Sequence, residues 1–283
     1  MNNEKQGYVY ILTSPNTDYI KIGGSDYPPA KRMKEINTTE PYKSLGPWGL
    51  YDFRQVLDWR EFERHFHYMF RSKLVTTING QKELFNIGPH NVSEQFSCMD
   101  ENMLVGKPKI DRLFNDEPFC SYLVRLFTLS GLPYFLDDQG AWTLVLFPGT
   151  SGGRYFTLNI GAHEVAFSTL KKDNIKSLHA IVLDDAVAER ETVTTWIYEH
   201  EGDLSTAPYK NALPNSVLVS FVGDFMDAIE FLELGGVRRA VIAYWFDSLL
   251  RLKDQNAVST YARFHNYNAV AEICKRIAGG SEI

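Results

Sequence analysis

Three side chains near the start of this 283-residue chain carry a phenol, an amine and a guanidinium. Tyr10, Lys21 and Arg32 follow one another at intervals of eleven residues. Cleavage of a phosphodiester needs an activated nucleophile, positive charge on the transition state and a stabilised leaving oxygen. A phenol has a pKa near ~10, so it acts as a base at neutral pH only where nearby cations lower that pKa. We therefore expect Lys21 either to lower the pKa of Tyr10 or to bind a phosphate oxygen itself.

Two short strands are predicted to hold the phenol and the amine. Residues 8–12 and 19–23 are rich in β-branched and aromatic side chains, and residues 14–18 have the composition of a turn. Alternate side chains of a strand share one face of the sheet. Pairing of the two strands is therefore expected to bring Tyr10 and Lys21 side by side.

Helices are predicted on both sides of a strand near residues 51–57. The first helix begins at Pro28-Pro29, as helix starts prefer, and carries Arg32. The second spans residues 59–73, where phenylalanines recur every four positions as one buried stripe. This stripe consists of Phe62, Phe66 and Phe70, and the same spacing on a neighbouring face relates Glu63, His67 and Arg71. A closing strand over residues 83–87 completes the predicted unit.

The chain is expected to contain two domains of an α+β protein. Residues 6–88 form a small α/β domain with a three-stranded antiparallel sheet flanked by helices, and residues 89–117 form a linker. Residues 118–283 form an α+β domain with antiparallel strands between residues 141 and 222, followed by helices to the end. The role expected for this second domain is target recognition, sensing or assembly.

Composition excludes several classes of protein. Hydrophobic residues make up 44% of the chain, which suits a folded protein and argues against disorder. No apolar run approaches the ~20 residues of a membrane span, and the three cysteines are too few for a disulfide framework, so a cytoplasmic protein is expected. The net charge is -6. It divides into +1 for residues 1–95 and -7 for the remainder, so the first part is a modestly better place than the remainder for a polyanion to bind.

The order and spacing of these motifs resemble the GIY-YIG nuclease superfamily. The resemblance is to its phage-type branch, in which the second tripeptide is Lys-Ile-Gly, and it covers residues 7 to 88. The segments that carry it are Tyr8-Val9-Tyr10, Lys21-Ile22-Gly23, the helix with Arg32, the pair Glu63 and His67, and Glu83-Leu84-Phe85. Lys21 departs from the majority of the superfamily, which has a second tyrosine there.

The resemblance implies a role for each residue of the candidate site. Tyr10 would activate or orient the attacking water, with Lys21 as its electrostatic partner. Arg32 would hold the scissile phosphate, and Glu83 would bind a divalent metal, Mg²⁺ or Mn²⁺. His67 would bond the phenol, the phosphate or the leaving oxygen, with Glu63 orienting it.

Two functions are consistent with these residues. The first is a metal-dependent endonuclease that hydrolyses DNA, with a restriction-like, anti-phage or phage-encoded role. The second is a non-catalytic protein that keeps the fold in order to bind nucleic acid or a protein partner. The endonuclease requires Arg32 and Glu83 to converge with Tyr10 on one cleft. No membrane is expected as a partner, and homo-oligomerisation stays open.

Overall fold

The computed structural model describes residues 6–136, 140–149, 153–170, 176–206, 215–255 and 257–279. The chain divides into two compact units. Unit 1 contains the residues up to 107 together with residues 267–275, and unit 2 contains residues 108–266 and those from 276 onward. Within the described ranges, no helix combines the length and the apolar character needed to cross a membrane.

Unit 1 is built on an antiparallel sheet, whose strands lie in the order β3-β1-β2-β4. The strands are β1 (Gly7–Ser14), β2 (Thr17–Ser25), β3 (Gly49–Val56) and β4 (Leu84–Phe85). The predicted closing strand pairs with β2, so the sheet in the described part of unit 1 has four strands where three were predicted. The α+β class is confirmed. Tyr10 lies opposite Gly23 and Leu12 lies opposite Lys21, so Tyr10 and Lys21 are diagonal neighbours on one face.

Helices cover both faces of this sheet. They are α1 (Pro29–Ile36), α2 (Trp59–Met69) and α3 (Pro89–Ser97). The second helix begins where the Asp58 side chain accepts a hydrogen bond from the backbone N–H of Glu61, which caps the helix. Phe62 and Phe66 of α2 pack with α3 against one face of the sheet, as the phenylalanine stripe predicted. Burial of each such ring contributes about 1.5–3 kcal/mol to stability.

The segment predicted as a linker, residues 89–117, differs from the structure. Its first part is α3, whose side chains Val92 and Phe96 are fully buried in the core of unit 1. Its second part contains α4 (Lys107–Phe114), and α5 (Glu117–Ser130) begins at its end. Apolar side chains at helical spacing within a polar segment account for the difference, because they must be buried.

A late segment of the chain completes unit 1. The last helix, α9 (Tyr267–Gly279), provides residues 267–275. The amide of Asn268 donates to the carbonyl oxygen of Gln55 at 2.9 Å and accepts from the N–H of the same residue. This amide thereby satisfies one residue of the outer edge of β3, as a neighbouring strand would. Arg54 on β3 also forms an ion pair with Glu272 of the helix.

Unit 2 contains an antiparallel sheet with the strand order β5-β6-β7-β8-β10-β9. Its strands are β5 (Trp142–Leu146), β6 (Arg154–Ile160), β7 (His163–Thr169), β8 (Ser177–Asp184), β9 (Asp203–Thr206) and β10 (Ser216–Gly223). The remaining helices are α6 (Glu191–Glu199), α7 (Phe225–Glu233) and α8 (Val237–Asp254). The predicted antiparallel strands and C-terminal helices are therefore present.

Candidate functional site at the edge of strand β2

The edge of β2 has no neighbouring strand over its last residues because β4 is only two residues long. After Lys21 the neighbouring strand ends, with a last backbone hydrogen bond from Ile22 N–H to the carbonyl of Glu83 at 3.0 Å. Side chains of α2 then occupy the edge. Nε2 of His67 donates to the carbonyl of Ile22 at 2.9 Å, and Oε1 of Glu63 accepts from the N–H of Gly24 at 2.8 Å. Two glutamates therefore lie at this edge, namely Glu83, which directly precedes β4, and Glu63 of α2.

Two consecutive glycines let side chains approach β2 from opposite faces. A Cβ atom on Gly23 would lie 2.6 Å from the hydroxyl oxygen of Tyr10, so this phenol lies directly over the glycine backbone. A Cβ atom on Gly24 would lie 2.4 Å from the Trp59 ring of α2. Such distances are far below van der Waals contact. The glycines of the Lys-Ile-Gly-Gly segment thus allow both the phenol and α2 to reach the strand.

Lys21 is fully buried and forms an ion pair with Glu83. Its Nζ lies 4.7 Å from the ring centroid of Tyr42 and 5.9 Å from that of Tyr10. The hydroxyl of Tyr42 donates to the same carboxylate oxygen of Glu83 at 3.2 Å. Burial lowers the pKa of Lys21 to about 7, although the nearby carboxylate of Glu63 opposes this shift. Burial thus favours loss of the Lys21 proton, whereas the direct contact with the Glu83 carboxylate favours the ammonium.

Arg32 connects α1 to the phenol of Tyr10. Its side chain is hydrogen-bonded to Tyr10 and contacts Oε2 of Glu35 at 2.8 Å, and the hydroxyl of Tyr27 donates to the same carboxylate. Burial raises the pKa of Tyr10 above its ordinary value, and the charge of Arg32 offsets only part of this rise. This differs from the expectation that a cation lowers the pKa of Tyr10 below its ordinary value. Tyr10 is a neutral phenol at neutral pH.

The structure brings together four of the five predicted site residues. Tyr10, Lys21, Arg32 and Glu83 form one connected group through Arg32–Tyr10, Lys21–Glu83 and the contact of Lys21 with the Tyr10 ring. His67 does not bond the Tyr10 phenol, which was one of the three partners expected for it. It bonds the backbone of β2 and packs against Phe85, with ring centroids 5.2 Å apart, on the face that α2 covers.

Two residues at this site were missed or were given a different role. Glu63 bonds Gly24, where an orienting bond to His67 was expected, and its charge influences the pKa of Tyr10, Lys21 and Tyr42. The spacing of Glu63 and His67 by one helical turn was a usable signal, because it directs both side chains to the same strand. Tyr42 lies in an irregular segment between α1 and β3, where no periodicity indicated its direction.

Glu63 and Glu83 are the carboxylates at this edge of the sheet. The described residues contain no group of three or more His, Cys, Asp or Glu side chains that could hold a metal by themselves. Mg²⁺ does not need such a cage, because it keeps several waters and binds one or two carboxylates together with substrate oxygens. The side chain of Glu83 is 32% exposed, so one of these carboxylates is open to solvent.

A comparison with known protein families gives a result for the part of the chain that holds the site. Residues 7–100 match the T5orf172 domain. This is a phage-associated domain of nuclease type. The match covers about a third of the 283 residues, begins with β1 and extends past α3, so it includes Tyr10, Lys21, Arg32, Glu63 and Glu83. Neither the curated proteins nor the solved structures gave a match.

Proposed function

We propose that unit 1 is a metal-dependent endonuclease of the GIY-YIG type, which hydrolyses phosphodiester bonds in DNA. The observation that carries this proposal is the convergence of Arg32 and Glu83 with Tyr10 and Lys21 beside the open edge of β2. A cation, a phenol, an amine and a carboxylate in one place are the groups that phosphodiester hydrolysis requires. The match of residues 7–100 to a domain of nuclease type supports the same function.

Arg32 is the residue proposed to hold the scissile phosphate. Its side chain is 38% exposed, so it can meet a substrate, while its bond to Tyr10 directs it into the site. A guanidinium binds two phosphate oxygens at once and stays charged at every physiological pH. Positive charge fixed there stabilises the additional negative charge of the transition state.

Lys21 is the residue proposed to take up the proton of the attacking water, with Tyr10 orienting that water as a neutral phenol. A proton acceptor is most effective when its pKa lies near the working pH, and the pKa of Lys21 is about 7. The raised pKa of Tyr10 makes a phenolate too scarce for this role. Lys21 is buried and its partner Glu83 is partly exposed to solvent, so the Lys21–Glu83 pair acts as one unit.

Glu63 and Glu83 are proposed to hold Mg²⁺ or Mn²⁺ at the edge of β2. Such an ion, when bound, supplies positive charge to the transition state and to the leaving oxygen. Glu83 already contacts the Lys21 ammonium and the Tyr42 hydroxyl, whereas Glu63 accepts a bond from the uncharged N–H of Gly24. Repulsion between the metal and protonated Lys21 is therefore weaker at Glu63, and comparison of the two glutamates tests how much each contributes to metal binding.

The biological setting proposed is restriction-like, anti-phage or phage-encoded. The phage association of the matched domain supports this setting. Unit 2 is proposed to select the target, sense a signal or mediate assembly, so that cleavage by unit 1 is restrained.

Cleavage of supercoiled plasmid DNA by the purified full chain tests the function. We expect nicking or cutting that requires Mg²⁺ or Mn²⁺ and is lost in Arg32→Ala. Of Glu63→Gln and Glu83→Gln, the variant that removes the metal ligand should need much more metal to reach half-maximal cleavage. Glu61→Gln is the matched control, because Glu61 is an exposed glutamate on the same helix as Glu63.

The pH profile tests the assignment of Lys21. Cleavage by the wild type should rise with pH and level off above an apparent pKa of about 7.

Equal cleavage by the wild type and Arg32→Ala would refute the proposed site, since the residue that carries the phosphate would then be dispensable.

The second candidate function is a non-catalytic protein that keeps the fold in order to bind nucleic acid or a protein partner, and a different observation favours it. Tyr10 and Lys21 are almost completely buried beneath their neighbours, which limits contact with a substrate. This function predicts DNA binding by the full chain without cleavage in any divalent metal.

A further inference from the structure

A row of basic side chains runs along the solvent-facing side of α2. Arg60, Arg64 and Arg71 are exposed, and Lys73 continues the row. Arg71 and Lys73 belong to the short 3-10 helix that follows α2. A spacing of four residues places Arg60 and Arg64 on one side of α2, and Arg71 and Lys73 follow its C-terminus. These four residues are called the basic ridge below.

The charges of the basic ridge are not neutralised by its surroundings. Among the described residues, no carboxylate forms an ion pair with any of the four side chains. Arg64 donates instead to the carbonyl of Arg60 at 3.2 Å, and Arg71 to the carbonyl of Tyr68 at 2.9 Å. By contrast, Arg125 pairs with Glu233 and the exposed Arg251 pairs with Asp247. The exposed acidic residue on this helix is Glu61, so the ridge is a net positive surface on a chain of net charge -6.

The basic ridge borders the candidate site. Glu63 and His67 lie on the adjacent stripe of the same helix, and both side chains bond the edge of β2. The ridge therefore runs beside the row of residues that bonds the edge of β2. From Arg60 to Arg71 it extends about 16 Å at a rise of 1.5 Å per residue. One strand of duplex DNA carries about five phosphates along the axis over that length.

A cleft of about 370 Å³ adjoins the far end of the basic ridge. Its lining includes Ser72, Lys73, Thr76, Thr77 and Asn86. Hydroxyl and amide groups beside a cation are the side chains that commonly bond phosphate and sugar oxygens. The cleft therefore continues the same chemistry beyond the arginines.

We propose that the basic ridge and this cleft bind the sugar-phosphate backbone of duplex DNA and hold it across the edge of β2. The proposal rests on the proposed function, because it names how the substrate of that site is held. The aromatic rings of Trp59 and Tyr68 beside the ridge favour duplex DNA over a single strand as its ligand. Arg60 lies over the Trp59 ring at 4.6 Å and Arg71 over the Tyr68 ring at 4.1 Å, so guanidinium groups occupy ring faces on which unpaired bases would stack.

Binding of a fluorescent DNA duplex by the full chain, in EDTA so that no metal-dependent cleavage occurs, tests the basic ridge. Anisotropy titrations over a range of NaCl concentrations give both the Kd and its salt dependence. Each phosphate contact contributes about 0.9 to the slope of log K against log salt. The triple variant Arg60→Ala, Arg64→Ala and Arg71→Ala should lower that slope by about 2.7 and weaken binding at least ~10-fold at low salt.

A second triple variant is the matched control. Arg238→Ala, Arg239→Ala and Arg251→Ala remove the same charge from exposed positions on α8 of unit 2. This control should bind DNA with the salt slope of the wild type. Single variants of the ridge keep the test valid if the triple variant misfolds, and each should lower the slope by about 0.9.

The outcomes separate this proposal from the proposed function. A ridge variant with the Kd and salt slope of the control would overturn the ridge, even if plasmid cleavage depends on Arg32. Tighter binding of a single strand than of the duplex would overturn the choice of ligand. Ridge-dependent binding without cleavage by the wild type would support the ridge and refute the nuclease.

Discussion

Gly23 is the position at which a single methyl group should disturb the candidate site most directly. The Tyr10 phenol covers this glycine, so Gly23→Ala inserts a Cβ atom 2.6 Å from the hydroxyl oxygen and 2.7 Å from the ring carbon that bears it. Ordinary contact begins near 3.4 Å. The phenol must therefore move by about 0.8 Å, away from β2. Tyr10 is 1% exposed, so its neighbours must move with it.

The expected magnitude follows from two opposing contributions. Forcing an additional group into a packed core costs about 1–3 kcal/mol. Replacing glycine by alanine also restricts the unfolded chain, which stabilises the folded state by about 0.4–1 kcal/mol where the backbone permits alanine. The difference is a destabilisation of about 1–2 kcal/mol for Gly23→Ala. This free energy corresponds to a 5- to 30-fold change in the population of the open state.

Gly49→Ala is the matched control, because Gly49 lies on β3 of the same sheet and a Cβ atom there would meet only one atom, at 3.9 Å. Without a clash, this control should be neutral or slightly stabilising. The assay is hydrogen–deuterium exchange of β1 and β2, read by mass spectrometry, since local opening controls the exchange of buried strands. Exchange should be about 5- to 30-fold faster in Gly23→Ala than in the wild type.

A double variant isolates the clash. Gly23→Ala combined with Tyr10→Leu removes the ring that the new methyl group meets, so the two changes together should destabilise less than the sum of each alone. Exchange in Gly23→Ala no faster than in Gly49→Ala would refute the close approach of Tyr10 to the strand.

Three further outcomes follow from buried groups of unit 1. Burial lowers the pKa of Lys21 from its ordinary value of 10.5 to about 7 in the folded state. Between these two pH values the unfolded state binds more protons than the folded state, so the free energy of unfolding rises with pH across that range. Lys21→Met should abolish this rise in urea denaturation series at pH 6 to 10. Tyr42→Phe removes the hydroxyl bond to Glu83 and keeps the ring beside Lys21. Loss of an interaction of about 1.4 kcal/mol should slow plasmid cleavage about 10-fold. The control variant Tyr51→Phe, at an exposed position, should cleave at the rate of the wild type. Asn268→Ala removes the acceptor of the part-buried Gln55 N–H, while the Gln55 carbonyl keeps the N–H of Val105, and it should destabilise unit 1 by about 1–3 kcal/mol, measured by hydrogen exchange of β3.

Local patterns were sufficient for most of the secondary structure. The hairpin of β1 and β2 follows from alternating β-branched and aromatic side chains around a turn, and α2 follows from its phenylalanine stripe. The extent of unit 1 could not be predicted in this way. Asn268 completes the edge of β3 from a position more than two hundred residues later, and no local pattern encodes a contact at that separation.

The residues that meet at the site were predicted better than their geometry. Residue types indicated Tyr10, Lys21 and Arg32, the family resemblance implied Glu83, and these side chains form one connected group. The register of the hairpin could not be predicted, so the diagonal relation of Tyr10 to Lys21 was missed. Lowering of the Tyr10 pKa by a nearby cation, one of two roles expected for Lys21, is outweighed by burial, which depends on packing that a strand pattern does not specify.

The position of residues 267–275 in unit 1 has a consequence for how the protein is made. A ribosome synthesises the chain from its N-terminus, so residues 108–266 emerge before the segment that completes unit 1. Throughout that interval the backbone of Gln55 lacks the amide of Asn268, and Arg54 lacks Glu272. A chain whose translation stops early therefore contains every residue from Tyr10 to Glu83 but not the last piece of the fold that supports them.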